Sequence, residues 1–144
     1  MHVERTFTVP RPVEQVFAYL GDFTTTEEWD PGTVTTTRTS GDGGLGTTYA
    51  NTSEFMGRRV SLTYDTITFQ PPTKVQFRGR NKGSTATDSL TFTATSDATT
   101  EIHYRADFVF HGIWKYLAPP VARRRIDALA DETVQKMKQA LSAL

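Results

Sequence analysis

The hydrophobic period of this chain switches once, from 2 to 3.6, and the switch comes late, after Ala118-Pro119-Pro120. Upstream, one segment after another alternates apolar and polar residues, which is how a half-buried strand reads. Downstream, Ile126, Leu129, Ala130, Thr133, Met137, Ala140, Leu141 and Leu144 fall on one face of a helix. Arg123, Arg124, Asp127, Asp131, Glu132, Lys136 and Lys138 take the other faces. A helix of roughly 24 residues runs about 36 Å. That is too long to bury end to end, but it can lie across the mouth of a curved sheet. A strand-rich body closed by one terminal helix is an α+β arrangement, and it tends to enclose a space.

The first segment, Val3 to Val9, is a strand ended by Pro10 and Pro12. Val13, Val16, Phe17 and Leu20 then make a helical stripe, with Pro12 at its entrance and Gly21 as C-cap. Thr24 to Trp29 reads as a second short helix, capped by Thr24 and stopped by Pro31-Gly32. Further strands are expected at 33–40, 45–55, 59–69, 75–80, 88–95 and 101–110, with a shift of register before Ile67 and Phe69. The connections between them are short and rich in Gly, Pro, Asn and Asp, so an antiparallel meander is expected, with no crossover helices. No linker or repeat divides residues 1–144, and a single domain is expected.

Lys+Arg 16 against Asp+Glu 16 cancels, so no basic field awaits nucleic acid. No run approaches the roughly 20 apolar residues of a membrane span, and the N-terminus lacks a basic-then-apolar leader. With no Cys there is no thiolate chemistry, and these features together fit a cytoplasmic protein. His103, Asp107 and His111 do not make a metal site, because four residues of strand span about 13 Å and ligands must converge on one ion. Gly41-Asp42-Gly43-Gly44-Leu45-Gly46 matches G-x-G-x-x-G, but a strand follows where a dinucleotide site needs a helix. Arg123-Arg124-Arg125 reads as a solvated helix face. There is no G-x-S-x-G elbow for nucleophilic catalysis. No metal and no cofactor are expected.

Several short motifs fall in a characteristic order. Pro12-x-x-x-Val16-Phe17 follows the first strand, and Trp29-Asp30-Pro31-Gly32 closes the second helix. Gly46 opens a strand, Phe55-Met56-Gly57-Arg58-Arg59 marks a hairpin, and Phe69-Gln70-Pro71-Pro72 ends a strand. Tyr104-Arg105-Ala106-Asp107-Phe108 precedes the terminal helix. With these motifs the whole chain resembles the SRPBCC superfamily (START-like or Bet v 1-like), and within it the polyketide cyclase/dehydrase group. The resemblance implies a helix-grip fold: a curved antiparallel sheet of about seven strands around a long C-terminal helix, two short helices after the first strand, and a hydrophobic cavity between sheet and helix. It carries over a cavity and no catalytic set, since that superfamily includes carriers as well as cyclases and aromatases.

Strand parity turns Ile102, Tyr104, Ala106, Phe108 and Phe110 to one face, Val75, Phe77 and Gly79 to the same side, and likewise Leu90 and Phe92, and Val60, Leu62 and Tyr64. These residues either pack a core or line an apolar pocket with a few polar groups. From them come the candidate ligand-binding residues Tyr64, Phe77, Phe92, Tyr104, Phe108 and Phe110, with Met137 from the helix. Tyr64 and Tyr104 stand out because a buried phenol needs a hydrogen-bond partner. Tyr49 and Asn51 share a face with Ser53; turned inward they would orient a carbonyl, and turned outward they would be solvated. Trp29 and Trp114 are candidates for stacking at an entrance, with packing as the alternative for Trp29. Trp114 lies in an apolar segment after Gly112 that could serve as a gate.

The expected function is binding of a small, largely hydrophobic lipid- or polyketide-like molecule in the cavity. The alternative is a polyketide cyclase, aromatase or dehydratase working by acid–base chemistry there, with no catalytic residue singled out. A third reading is an interaction domain with a filled interior. A small hydrophobic molecule is the only partner expected, and oligomeric state is open.

Overall fold

The structure, a computed structural model, describes residues 1–117 and 119–144. Strand β1 (His2–Val9) buries Val3, Phe7 and Val9 and leads through Pro10 and Pro12 into helix α1 (Val13–Leu20). Pro12 takes the N-cap position, extended at φ −61° and ψ 148°. Helix α1 buries Val16, Phe17 and Leu20. At Gly21 a side chain does not fit, because a Cβ would lie 2.7 Å from the Phe17 carbonyl oxygen.

The expected second helix is two pieces. A 3-10 turn (Phe23–Thr25) runs into the four-residue helix α2 (Thr26–Trp29). Asp22, not Thr24, is the cap: its Oδ1 accepts from the Thr24 amide at 3.0 Å and from the Thr24 hydroxyl at 2.7 Å.

The remaining strands are β2 (Thr33–Ser40), β3 (Thr48–Phe55), β4 (Arg58–Gln70), β5 (Lys74–Arg80), β6 (Ser84–Ser96) and β7 (Thr99–Phe110). They form one antiparallel seven-stranded sheet in the order β1-β7-β6-β5-β4-β3-β2, so β1 joins the far end of the meander. Met56 and Gly57, at φ 54° and 79°, make the two-residue turn between β3 and β4. The register shift expected before Ile67 is a bulge between Thr66 and Thr68. Two boundaries differ from expectation. Strand β3 starts at Thr48 rather than Leu45, because the glycine turn continues through Gly46 at φ 80°. Strand β6 starts at Ser84 rather than Asp88. The Asn81 side-chain Oδ1 accepts from the amides of Gly83 and Ser84, closing the turn early enough for the Ser84 to Phe110 pair to form.

A short helix α3 (Trp114–Leu117), absent from the sequence reading, precedes helix α4 (Pro119–Ser142). Helix α4 grips the sheet with two unlike halves. Val134, Met137 and Leu141 cluster with Phe7, Phe17, Phe92 and the aromatic group Phe23, Tyr49, Tyr64 and Phe77. Toward its N-terminus the same helix offers Ala122, Ile126 and Ala130, which meet Val3 and Ala106 in a separate, smaller cluster. Large side chains fill one half. Small ones leave the other hollow.

Candidate functional site

The hollow is a cavity of ≈ 810 Å³, inside the range of about 300–1,000 Å³ usual for small-molecule sites. Its floor is the inner face of the sheet: Val60, Leu62 and Tyr64 of β4, Ala86 and Asp88 of β6, and Tyr104, Ala106, Phe108 and Phe110 of β7. Ile126, Leu129, Ala130 and Thr133 of α4 form its roof. The mouth lies between the β3–β4 hairpin, with Met56, Arg58 and Arg59, the turn at Asn81 to Gly83, and Trp114 and Leu117 of α3. Gly112, at φ 60°, aims α3 back toward the cavity, and the Trp114 ring rests against Gly83. Ile113, Trp114, Tyr116 and Leu117 are all exposed, giving the mouth an apolar lip.

Four titratable side chains, Asp30, Tyr64, Asp88 and Tyr104, interrupt the wall away from the mouth. Asp30 follows α2, where its Oδ1 accepts from the Gly32 amide at 2.9 Å and its Oδ2 from the Thr33 hydroxyl at 2.8 Å. Burial raises its carboxyl above the ordinary value, with those hydrogen bonds and Lys136 pulling the other way. Asp88 comes two residues after Ala86 on the same strand face, opposite Phe77 and Ala106. Burial pushes the Asp88 carboxyl up to about 7, the Asp30 charge adds to the rise, and the Tyr104 hydroxyl, donating at 3.4 Å, opposes it. The Tyr104 phenol is held well above its ordinary value by burial and by Asp88. Tyr64 stands directly over Gly79 across the β4–β5 ladder, its ring 4.3 Å from that of Phe23. Its phenol too is raised by burial and the two carboxylates.

The raised Asp88 carboxyl makes stability depend on pH. Between about pH 4 and 7 the folded chain holds a proton that the unfolded chain has released, so stability falls as pH rises through that window and is level above it. A rise from 3.8 to about 7 corresponds to at most about 4 kcal/mol, reduced by water in the cavity. Asp88→Asn should therefore raise the melting temperature at pH 8 and leave it nearly unchanged at pH 4. Equal shifts at both pH values would show that Asp88 carries no such cost.

The residues singled out in the sequence divide between the two halves. Tyr64, Tyr104, Phe108, Phe110 and Trp114 line the cavity. Trp29, Tyr49, Phe77, Phe92 and Met137 belong to the filled core, each at most 3% exposed. Asn51 is also buried, but its amide donates to the Thr36 hydroxyl at 2.9 Å and its carbonyl accepts from Ser53, so its polar groups are spoken for inside the fold. Of that strand face, Ser53 reaches the cavity. Among the described residues no three His, Asp or Glu side chains are grouped to hold a metal ion.

A model of the family described as polyketide cyclase / dehydrase and lipid transport matches residues 1–142. The chain belongs to that family. No curated protein sequence matches it. Among solved structures, it is similar to the Zhui aromatase/cyclase from Streptomyces sp. R1128, at 18% identity and TM-score 0.77, covering 99% of this chain and 92% of that one. A START superfamily protein from Mycobacterium smegmatis is similar at 15% identity and TM-score 0.71, covering 99% and 94%. Ara h 8.0201 is similar at 15% identity and TM-score 0.69, covering 100% and 99%. At these identities the likeness is one of fold. The chain thus belongs to the polyketide cyclase / dehydrase and lipid transport family and has a START-like, Bet v 1-like fold, and no described helix is long and apolar enough to cross a membrane.

Asp30 and Asp88, the two acids of the cavity wall, were not among the candidates drawn from the sequence. Parity alone carries the Asp88 signal: Leu90 and Phe92 face inward, so Asp88 and Ala86 must as well. An acid on a core-facing strand position is the anomaly that marks a site.

Proposed function

We propose that the chain binds a small, largely apolar molecule, lipid- or polyketide-like, between the sheet and the N-terminal half of α4. The observation that carries this reading is the ≈ 810 Å³ cavity with a mouth to solvent, built from inward alanines rather than from a packing failure. Burying apolar ligand surface contributes about 25 cal/mol per Å². After the cost of association, dissociation constants on the order of 1–100 µM follow for a ligand of this size. Native mass spectrometry of the purified protein, followed by denaturing extraction, tests it. A stoichiometric apolar adduct, or uptake of one from an added lipid extract, is expected; a chain that stays bare after exposure to such an extract contradicts the reading.

A second reading, acid–base catalysis on a polyketide-like substrate, is favoured by one feature. The Asp88 carboxyl, at about 7, is poised to give or take a proton near neutral pH, with Tyr104 beside it. The likeness in fold to an aromatase/cyclase agrees with it. Turnover of a candidate polyketide that is lost in Asp88→Asn while binding persists would favour this reading over simple carriage.

A further inference from the structure

The inner end of the cavity is lined by two acids, Asp30 and Asp88, and no base; the cation felt there, Lys136 of α4, acts on Asp30 from outside the lining. Among the described residues neither acid forms an ion pair with Lys, Arg or His, although ion pairs are plentiful elsewhere on the chain. The basic residues on the wall, Arg58, Arg59 and Lys82, sit at the mouth and are exposed to water, which screens them. Arg59 is in addition paired with Glu54 at 3.2 Å.

Tyr64 adds a polar group at the same end, with no described protein group paired to it. It is 7% exposed and lines the cavity, yet its hydroxyl makes no hydrogen bond within the described residues. The ring cannot turn away, held between Gly79 beneath and Phe23 alongside. The phenol oxygen opens onto the cavity, where water or a polar group of a ligand can pair with it.

Resting on the binding reading above, we propose that the ligand is an amphipathic amine: its protonated nitrogen sits between Asp88 and Asp30, with the Tyr64 oxygen accepting from it, and its apolar body lies along Ala86, Ala106, Phe108 and Ala130 toward the mouth. A single ammonium fits this set because it brings up to three donors and one positive charge. The wall offers carboxylate and phenol acceptors and no buried cation. A carboxylate or phosphate would meet like charge at this end, and a neutral alcohol would leave the repulsion between the two acids in place. Ligand charge thereby becomes a determinant of specificity in a cavity that otherwise selects by size and apolarity.

The test compares three probes of equal chain length, dodecylammonium, dodecanol and dodecanoate, each below its micelle concentration, by displacement of Nile red from the purified protein. The ammonium is expected to bind at least tenfold more tightly than the alcohol, with the carboxylate weakest. Asp88→Asn, verified as folded by circular dichroism, is expected to erase the preference for the ammonium over the alcohol. In the unsubstituted protein, the carboxyl carbon resonance of Asp88 is expected to move to its ionised position at pH 7 on adding the ammonium and not the alcohol. Alcohol bound as tightly as ammonium, a preference that survives Asp88→Asn, or an Asp88 resonance indifferent to the amine would each overturn the proposal and leave the binding reading standing. Failure of all three probes to displace Nile red would overturn both.

Discussion

Phe77→Ala should lower the free energy of unfolding by about 4 kcal/mol, while Phe108→Ala, an equal loss of side chain, should cost roughly 1 kcal/mol. Phe77 is 0% exposed, and its ring lies 4.5 Å from Phe23 and 6.3 Å from Tyr49 by centroid. Truncation there removes contacts on every side and leaves a void that the surrounding aromatics cannot collapse into. Phe108 lies on the next strand but one, on the same inner face of the sheet, and it borders the cavity. Part of its surface faces that space, and only the part packed against the Val3, Ala106 and Ile126 cluster has contacts to lose. Urea denaturation of both variants at one pH gives the comparison. Equal losses would show that the half of the sheet under Ala122 to Ala130 is packed like the other.

Gly79→Val should be nearly as damaging, by about 3 kcal/mol, and should also abolish ligand binding. A Cβ at Gly79 would lie 2.6 Å from Tyr64 Cε1, with further ring atoms as close. The Tyr64 ring cannot yield on the far side, where Phe23 stands at 4.3 Å. Relief therefore requires moving β4 relative to β5 or driving the phenol into the cavity. Either change deforms the cavity wall. A variant that melts like the unsubstituted protein and binds as well would mean that Tyr64 does not rest where the β4–β5 register places it.

The outline of the fold was legible because each element carried its own local signal. Parity sorted Val75 and Phe77, Leu90 and Phe92, and Ile102 and Ala106 onto the buried face, and the 3.6 period found α4. The break at Ile67 was readable because Tyr64 and Phe69 cannot both face inward without a bulge. Helix α3 escaped because four residues show no period, and Asp22 because capping depends on the exact chain path through a turn of three residues.

The site was harder to see because parity says which residues face inward and says nothing of what they meet. Trp29, Tyr49, Phe77, Phe92 and Met137 face inward like Tyr64, Tyr104 and Phe108, but the ends of α4 differ in bulk. Large side chains drew attention in the sequence; the small ones, Ala86, Ala106 and Ala130, made the space. A cavity is a deficit of volume, so its clue is the alanine and not the aromatic.

The most direct measurement is a Nile red titration of the unsubstituted protein beside Ala130→Trp, which fills the roof of the cavity, with Leu129→Trp as a second filler and circular dichroism to verify folding. A saturable one-to-one rise in emission for the unsubstituted chain, lost in the folded fillers, is the expected result. Undiminished binding by the fillers, or no binding by the unsubstituted chain, would contradict a ligand site between the sheet and α4.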